Sequence, residues 1–120
     1  MRRTGPTNYV WRKTIRLLRK YAKQYRASVW RYVAELLERP ARRRVIVNVS
    51  KINRYAQPGE IVVVPGKVLG AGMIEKPITV AAMAFSMSAI EKIKATGGRV
   101  IHILDLLNEN PRGSRVRIII

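Results

Sequence analysis

The chain has 120 residues, enough for one packed domain and too few for two. It carries 24 Lys and Arg against 7 Asp and Glu, a net charge of +17, so a compact form repels itself unless a polyanion screens it. Cysteine is absent, which excludes disulfides and thiolate metal sites, and no apolar run approaches the roughly 18 residues of a bilayer span.

Nucleic acid is the first partner that such a charge balance suggests, and an anionic membrane surface the second. The beginning of the chain lacks the apolar stretch of a secretory signal, so a cytosolic location is the default expectation. Hydrophobic residues make up 48%, which supports a packed core.

Residues 1–7, with Arg2, Arg3, Gly5 and Pro6, read as an arm able to order on RNA. Residues 9–38 read as helical. Leu18, Ala22, Tyr25, Val29, Val33 and Leu36 recur at steps of three or four and predict one apolar stripe. Arg16, Arg19, Lys20, Lys23 and Arg26 fall opposite it. Ser28 fits the cap of a second helix, so one long helix and a break near residues 24–28 both stay open. Trp30 projects towards the basic side, where packing against protein is favoured over stacking on a base; the role of Trp11 stays open. Pro40 ends the helical stretch.

Arg42, Arg43 and Arg44 precede a β-type run over residues 45–49. Residues 53–57 read as a loop and Pro58-Gly59 as a turn. Ile61 to Val64 predicts a buried strand, Pro65-Gly66 a turn, and Val68-Leu69 a short strand before Gly70-Ala71-Gly72. Ile78 to Ala84 is a further strand. Ser86 or Ser88 can cap a helix through Ala95, which Gly97-Gly98 ends. Val100 to Ile103 is a strand, and Asp105 fits the cap of a helical turn reaching Asn110. After the turn at Pro111-Arg112-Gly113, Arg115 and Arg117 alternate with Val116 and Ile118 in a final strand with one basic face.

The expected class is α+β, with N-terminal basic helices followed by a small body of irregular strand-strand-helix turns. The charge divides the chain. Residues 1–44 hold a net +12, and 45–120 a net +5, which suggests a basic arm and helical RNA-binding segment before a compact α/β body. From Arg12 to Arg31 there is no acid at all. Like charges three and four apart cost a few tenths of a kcal/mol per pair, so an unbalanced row is better explained by a polyanion than by a merely solvated face. The candidate RNA-binding residues are Arg2, Arg3, Arg12, Lys13, Arg16, Arg19, Lys20, Lys23 and Arg26 in that segment, and Arg42, Arg43, Arg44, Lys51, Arg54, Lys67, Arg112, Arg115 and Arg117 beyond it. Arg outnumbers Lys by 16 to 8; its planar fork grips phosphate bidentately and stacks on bases.

Catalytic chemistry is hard to assemble. The single imidazole, His102, lies in an apolar strand and reads as a packed structural residue; no cysteine or carboxylate pair accompanies it. No metal-ligand spacing occurs and no cofactor is implied. Gly66-Lys67 has the look of a phosphate-binding loop, but Ile61 stands where the first glycine belongs and Val68 where Ser or Thr belongs. Gly70-Ala71-Gly72 begins a dinucleotide fingerprint that Glu75 interrupts. The glycines read as tight backbone approach, with Lys67 the residue facing phosphate.

The runs Arg39-Pro40-Ala41-Arg42-Arg43-Arg44, Val47-Asn48-Val49-Ser50-Lys51-Ile52 and Val63-Val64-Pro65-Gly66-Lys67-Val68-Leu69-Gly70-Ala71-Gly72 resemble the ribosomal protein L-eighteen-e family. So do Ile78-Thr79-Val80-Ala81-Ala82, Phe85-Ser86 and Asn110-Pro111-Arg112-Gly113-Ser114-Arg115-Val116. The ordered set covers nearly the whole chain. The resemblance implies a large-subunit protein of archaeal or eukaryotic ribosomes, related in fold to bacterial ribosomal protein L-fifteen. It implies contacts with large-subunit rRNA and neighbouring ribosomal proteins, and no catalysis, membrane or small-molecule substrate. The short length and Arg content suggest the archaeal form. A DNA-compacting chromatin-type protein is the alternative, although no minor-groove arm or dimer zipper speaks for it.

Overall fold

The computed structural model describes residues 6–120; Arg2 and Arg3 lie outside the described residues. Helices α1 (Pro6–Gln24) and α2 (Ser28–Leu37) lead through a short 3-10 turn, Ala41–Arg43, into the body. There follow β1 (Val45–Asn48), α3 (Val49–Tyr55), β2 (Ile61–Leu69), β3 (Thr79–Phe85), α4 (Met87–Ala95), β4 (Arg99–His102), α5 (Ile103–Glu109) and β5 (Val116–Ile118). The class is α+β as expected. Helix α1 begins three residues early, at Pro6, because proline suits the first helical position, where its missing N–H has no intrahelical acceptor.

All strand pairs are parallel. The sheet runs β1-β2-β3-β4, and β5 also pairs with β2. Strand β2 therefore has two partners along one edge: β5 beside Ile61–Val63 and β1 beside Gly66–Leu69. Pro65 sits in the gap between them, and the register with β3 shifts between Val64 and Lys67. A residue without an N–H is tolerated at such an irregularity. The turn expected at Pro65-Gly66 is thus a bulge inside one nine-residue strand.

Each face of the sheet is covered, so its central strands read as unbroken apolar runs. Val62, Val64, Val80 and Ala82 face a core shared with Ile52 of α3 and Ile93 of α4. Val63 and Ala81 face the other core, with Leu18, Trp30, Val33, Leu37, Ile103 and Leu107. This second core fastens α1, α2 and α5 onto the sheet.

Four further expectations need correction. Trp30 does not lie on a basic face; it is fully buried, as the packing alternative required. The expected stripe is buried or part-buried throughout, and α2 adds Trp30, Ala34 and Leu37 to the buried set. Residues 53–57 are not a loop throughout, since α3 runs through Tyr55. Ser28 and Asp105 cap nothing: Ala27 precedes α2 without a side-chain bond, and His102 caps α5. Ser86 does cap α4, accepting from the Ala89 N–H at 3.2 Å.

Gly66 lies so close to β1 that a Cβ would collide with the Val45 carbonyl oxygen. Gly66→Ala is expected to lower stability by about 1–3 kcal/mol in denaturant unfolding, through overpacking at the β1–β2 seam.

His102 Nδ1 accepts from the Leu104 N–H at 3.0 Å, which requires an unprotonated Nδ1. Burial pushes its pKa below the ordinary value, against a smaller upward pull from Asp105. The unfolded chain then binds the proton more readily than the folded one, so this contribution is full above the unfolded pKa and is lost as pH falls. Thermal unfolding should shift downwards as pH drops from about 7 through about 6.5, and less so in His102→Asn, which keeps a capping acceptor that does not titrate.

Candidate nucleic-acid interface

The break between α1 and α2 builds a strongly cationic feature of the surface. Tyr25 N–H bonds to Tyr21 O at 2.9 Å, Ala27 N–H reaches back to Ala22 O at 3.0 Å, and Arg26 between them takes φ +53°. This is a helix stop of the Schellman type, whose left-handed position usually holds glycine. An arginine there costs about 1 kcal/mol of backbone strain.

The resulting elbow encloses a groove of about 360 Å³ lined by Arg19, Ala22, Lys23, Arg26, Ser28 and Arg31. Four cations line it and no acid does. Arg19 donates from Nε and Nη2 to the two carboxylate oxygens of Glu38. Both side chains are about half exposed, so the pair adds little to stability. Lys23, Arg26 and Arg31 are exposed, and among the described residues no carboxylate lies within ion-pair distance of them.

The loop after α5 docks on the same elbow. The Trp30 Nε1–H donates to Pro111 O at 2.8 Å. Asn110 closes the loop by exchanging two hydrogen bonds with the Ser114 backbone, at 2.8 and 3.2 Å. Gly113, at φ +68°, leaves no room for a Cβ between itself and Val29. These contacts place the Arg112 guanidinium 5.6 Å from the centre of the Tyr25 ring. Arg112 thereby joins cations more than eighty residues earlier in the chain.

The other expected residues are dispersed. Arg12, Arg16 and Lys20 are exposed on α1 and Lys13 is half-buried. Arg42 and Arg43 are exposed on the 3-10 turn, while Arg44 lies over Trp11 at 4.2 Å. Lys67 is exposed on β2, and Arg54 on α3 beside Tyr55. Lys51 donates to Ile120 O at 2.6 Å. Arg117 pairs with Glu60 at 2.9 Å, which holds the Glu60 carboxyl below its usual value and raises Arg117. Arg115 is exposed at φ +59°, outside β5, so the expected alternation with Arg117 does not form. Arg31, which the groove adds to the expected residues, ends the acid-free stretch of the sequence.

The glycines keep their structural reading. A Cβ on Gly70 would strike Ser88 and one on Gly72 would strike Ser50, so the backbone there approaches protein closely. Cations nearby also serve the fold: Lys92 donates to Gly70 O and Gly72 O, each at 2.6 Å, and Lys76 to Ala56 O at 2.9 Å. Among the described residues no cluster of three His, Cys, Asp or Glu could hold a metal, and no helix is long and apolar enough to cross a membrane.

Residues 46–101 match the family model described as ribosomal proteins 50S-L15, 50S-L18e, 60S-L27A. Over 117 residues the chain is 52% identical to large ribosomal subunit protein eL18 of Pyrobaculum aerophilum, covering 98% of this chain and 96% of that one. It is 54% identical over 121 residues to the eL18 protein of Methanopyrus kandleri, covering 97% and 95%. The eL18 protein of Methanospirillum hungatei is 46% identical over 118 residues, covering 98% of each chain.

The strain at Arg26 gives the elbow a measurable signature. Arg26→Gly should raise the thermal midpoint by a few degrees, since glycine takes positive φ without penalty. A lower midpoint in calorimetry would show that the side chain holds the elbow together.

Proposed function

This chain belongs to the eL18 family of large ribosomal subunit proteins, and on that premise we propose that its α1–α2 elbow grips the phosphates of folded large-subunit rRNA. The protein is a structural constituent of that subunit, binds its RNA among neighbouring ribosomal proteins, and is not an enzyme. It acts in the ribosome, in the cytoplasm. The relatives named above are all ribosomal, and nothing favours the DNA-compacting alternative.

One observation carries the assignment of the site: a groove lined by Arg19, Lys23, Arg26 and Arg31 with no acid among them. Four cations around one concavity repel each other, and an anion within it reverses that sign. Arg26 and Arg31 offer forks that match phosphate oxygens, while Lys23 supplies a compact point charge. Arg112, held over Tyr25, extends the cationic surface to the docked loop. RNA strands that would repel one another can then meet at this surface.

Removing two exposed cations, Lys23→Ala with Arg31→Ala, tests the reading without touching the buried core. Affinity for large-subunit rRNA should fall about 10- to 100-fold near physiological salt. The slope of log K against log salt should become shallower by roughly 1.5–2 units. An unchanged slope would move the phosphate contacts to other residues.

A further inference from the structure

At the far end of the same helices, Trp11 and Arg44 form an arrangement that phosphate neutralisation does not require. The Trp11 indole is pinned by its Nε1–H to Leu37 O at 2.7 Å. The Arg44 guanidinium lies 4.2 Å from the centre of that ring. Its Nε is buried with no hydrogen-bond partner, and among the described residues no carboxylate pairs with it. A buried donor left unmade costs free energy, so holding this guanidinium over the indole works against folding.

The surroundings point to what fits beside it. Trp11 and Arg44 border a groove of about 320 Å³, within the size range of small-ligand sites. Ile15 and Leu37 give it apolar wall, and Arg12 and Arg39 stand beside it. Glu38 also lines it, with both carboxylate oxygens already taken by Arg19. The elbow groove has four cations and no carboxylate. Here an aromatic ring with a guanidinium stacked on it forms part of the wall, which suits a flat heterocycle. The guanidinium plane, backed by the Trp11 ring, offers a stacking surface. Arg12 and Arg39 then meet the flanking phosphates.

We infer that the Trp11–Arg44 stack walls a slot for one unpaired rRNA base, with Arg12 and Arg39 holding the backbone on either side. The inference rests on the proposed rRNA binding and adds a base-recognising site, separate from the elbow.

The test compares the full-length chain with its Arg44→Lys and Arg44→Ala variants, bound to large-subunit rRNA and probed chemically at base edges. Lysine keeps the charge and loses the plane. Arg44→Lys should expose one base that the unaltered chain protects and weaken binding roughly tenfold, with the salt slope unchanged. If Arg44→Lys keeps both affinity and protection while Arg44→Ala makes the slope shallower by about one unit, Arg44 is a phosphate contact and the base slot is wrong. If the unaltered chain binds rRNA but protects no base that depends on Arg44, the slot is wrong and rRNA binding stands. If it does not bind at all, both readings fall.

Discussion

The burial of Trp30 is the constraint on which the rest of the molecule hangs. Its indole fills the core shared by α1, α2, α5 and the central strands, and its one polar atom finds Pro111 O. A tryptophan without that acceptor would leave an N–H unpaired in an apolar core. The acceptor comes from the loop after α5, so the basic hairpin and the C-terminal loop are positioned by the same side chain. The elbow groove and the placement of Arg112 both follow from this. Val29 packing against Gly113 closes the contact so tightly that no other residue fits at position 113 without a shift.

How much of this was legible depended on the range of the interaction involved. Strands with uncharged, mostly apolar runs, such as Ile61–Val64 and Ile78–Ala84, could be read because two-sided burial leaves an intrinsic signal. The Ser86 cap and the Gly97 stop are local chemistry and could be read for the same reason. Failures came where tertiary structure overrides a local rule. Pro65-Gly66 has turn composition, yet β2 passes straight through because its partner changes from β5 to β1 at that point. Trp30 was placed on the basic side of the helix, yet it is fully buried in α2. At α5 the cap was assigned to the expected carboxylate, whereas a histidine acceptor one turn earlier does that work.

The site shows a similar division. An acid-free row of cations is visible in composition, and Arg19, Lys23 and Arg26 do meet in one groove. Arg112 was also singled out, but its convergence on the elbow could not be read, because it depends on a hydrogen bond spanning eighty-one residues. Conversely, a sequence shows charge without showing what already satisfies it. Arg19 and Arg117 face glutamates, and Lys51 is engaged with Ile120. Such cations have less freedom to turn towards RNA than Lys23 or Arg31.

That difference follows the layout of charge along the chain. Residues 68–111 carry four cations and four acids, so the whole surplus of +17 lies outside them. Within that neutral stretch Lys76 and Lys92 bind backbone carbonyls and Arg99 pairs with Glu109. There the cations close loops and staple a helix to a strand. Around the elbow only Arg19 is paired, with Glu38; Lys23, Arg26 and Arg31 close nothing, and Arg26 even adds backbone strain. Free energy spent against folding in one region and recovered only on binding makes the bound form more stable than the free one, by linkage. The neutral stretch thus uses its cations in its own contacts, while those exposed around the elbow repel one another in the free chain.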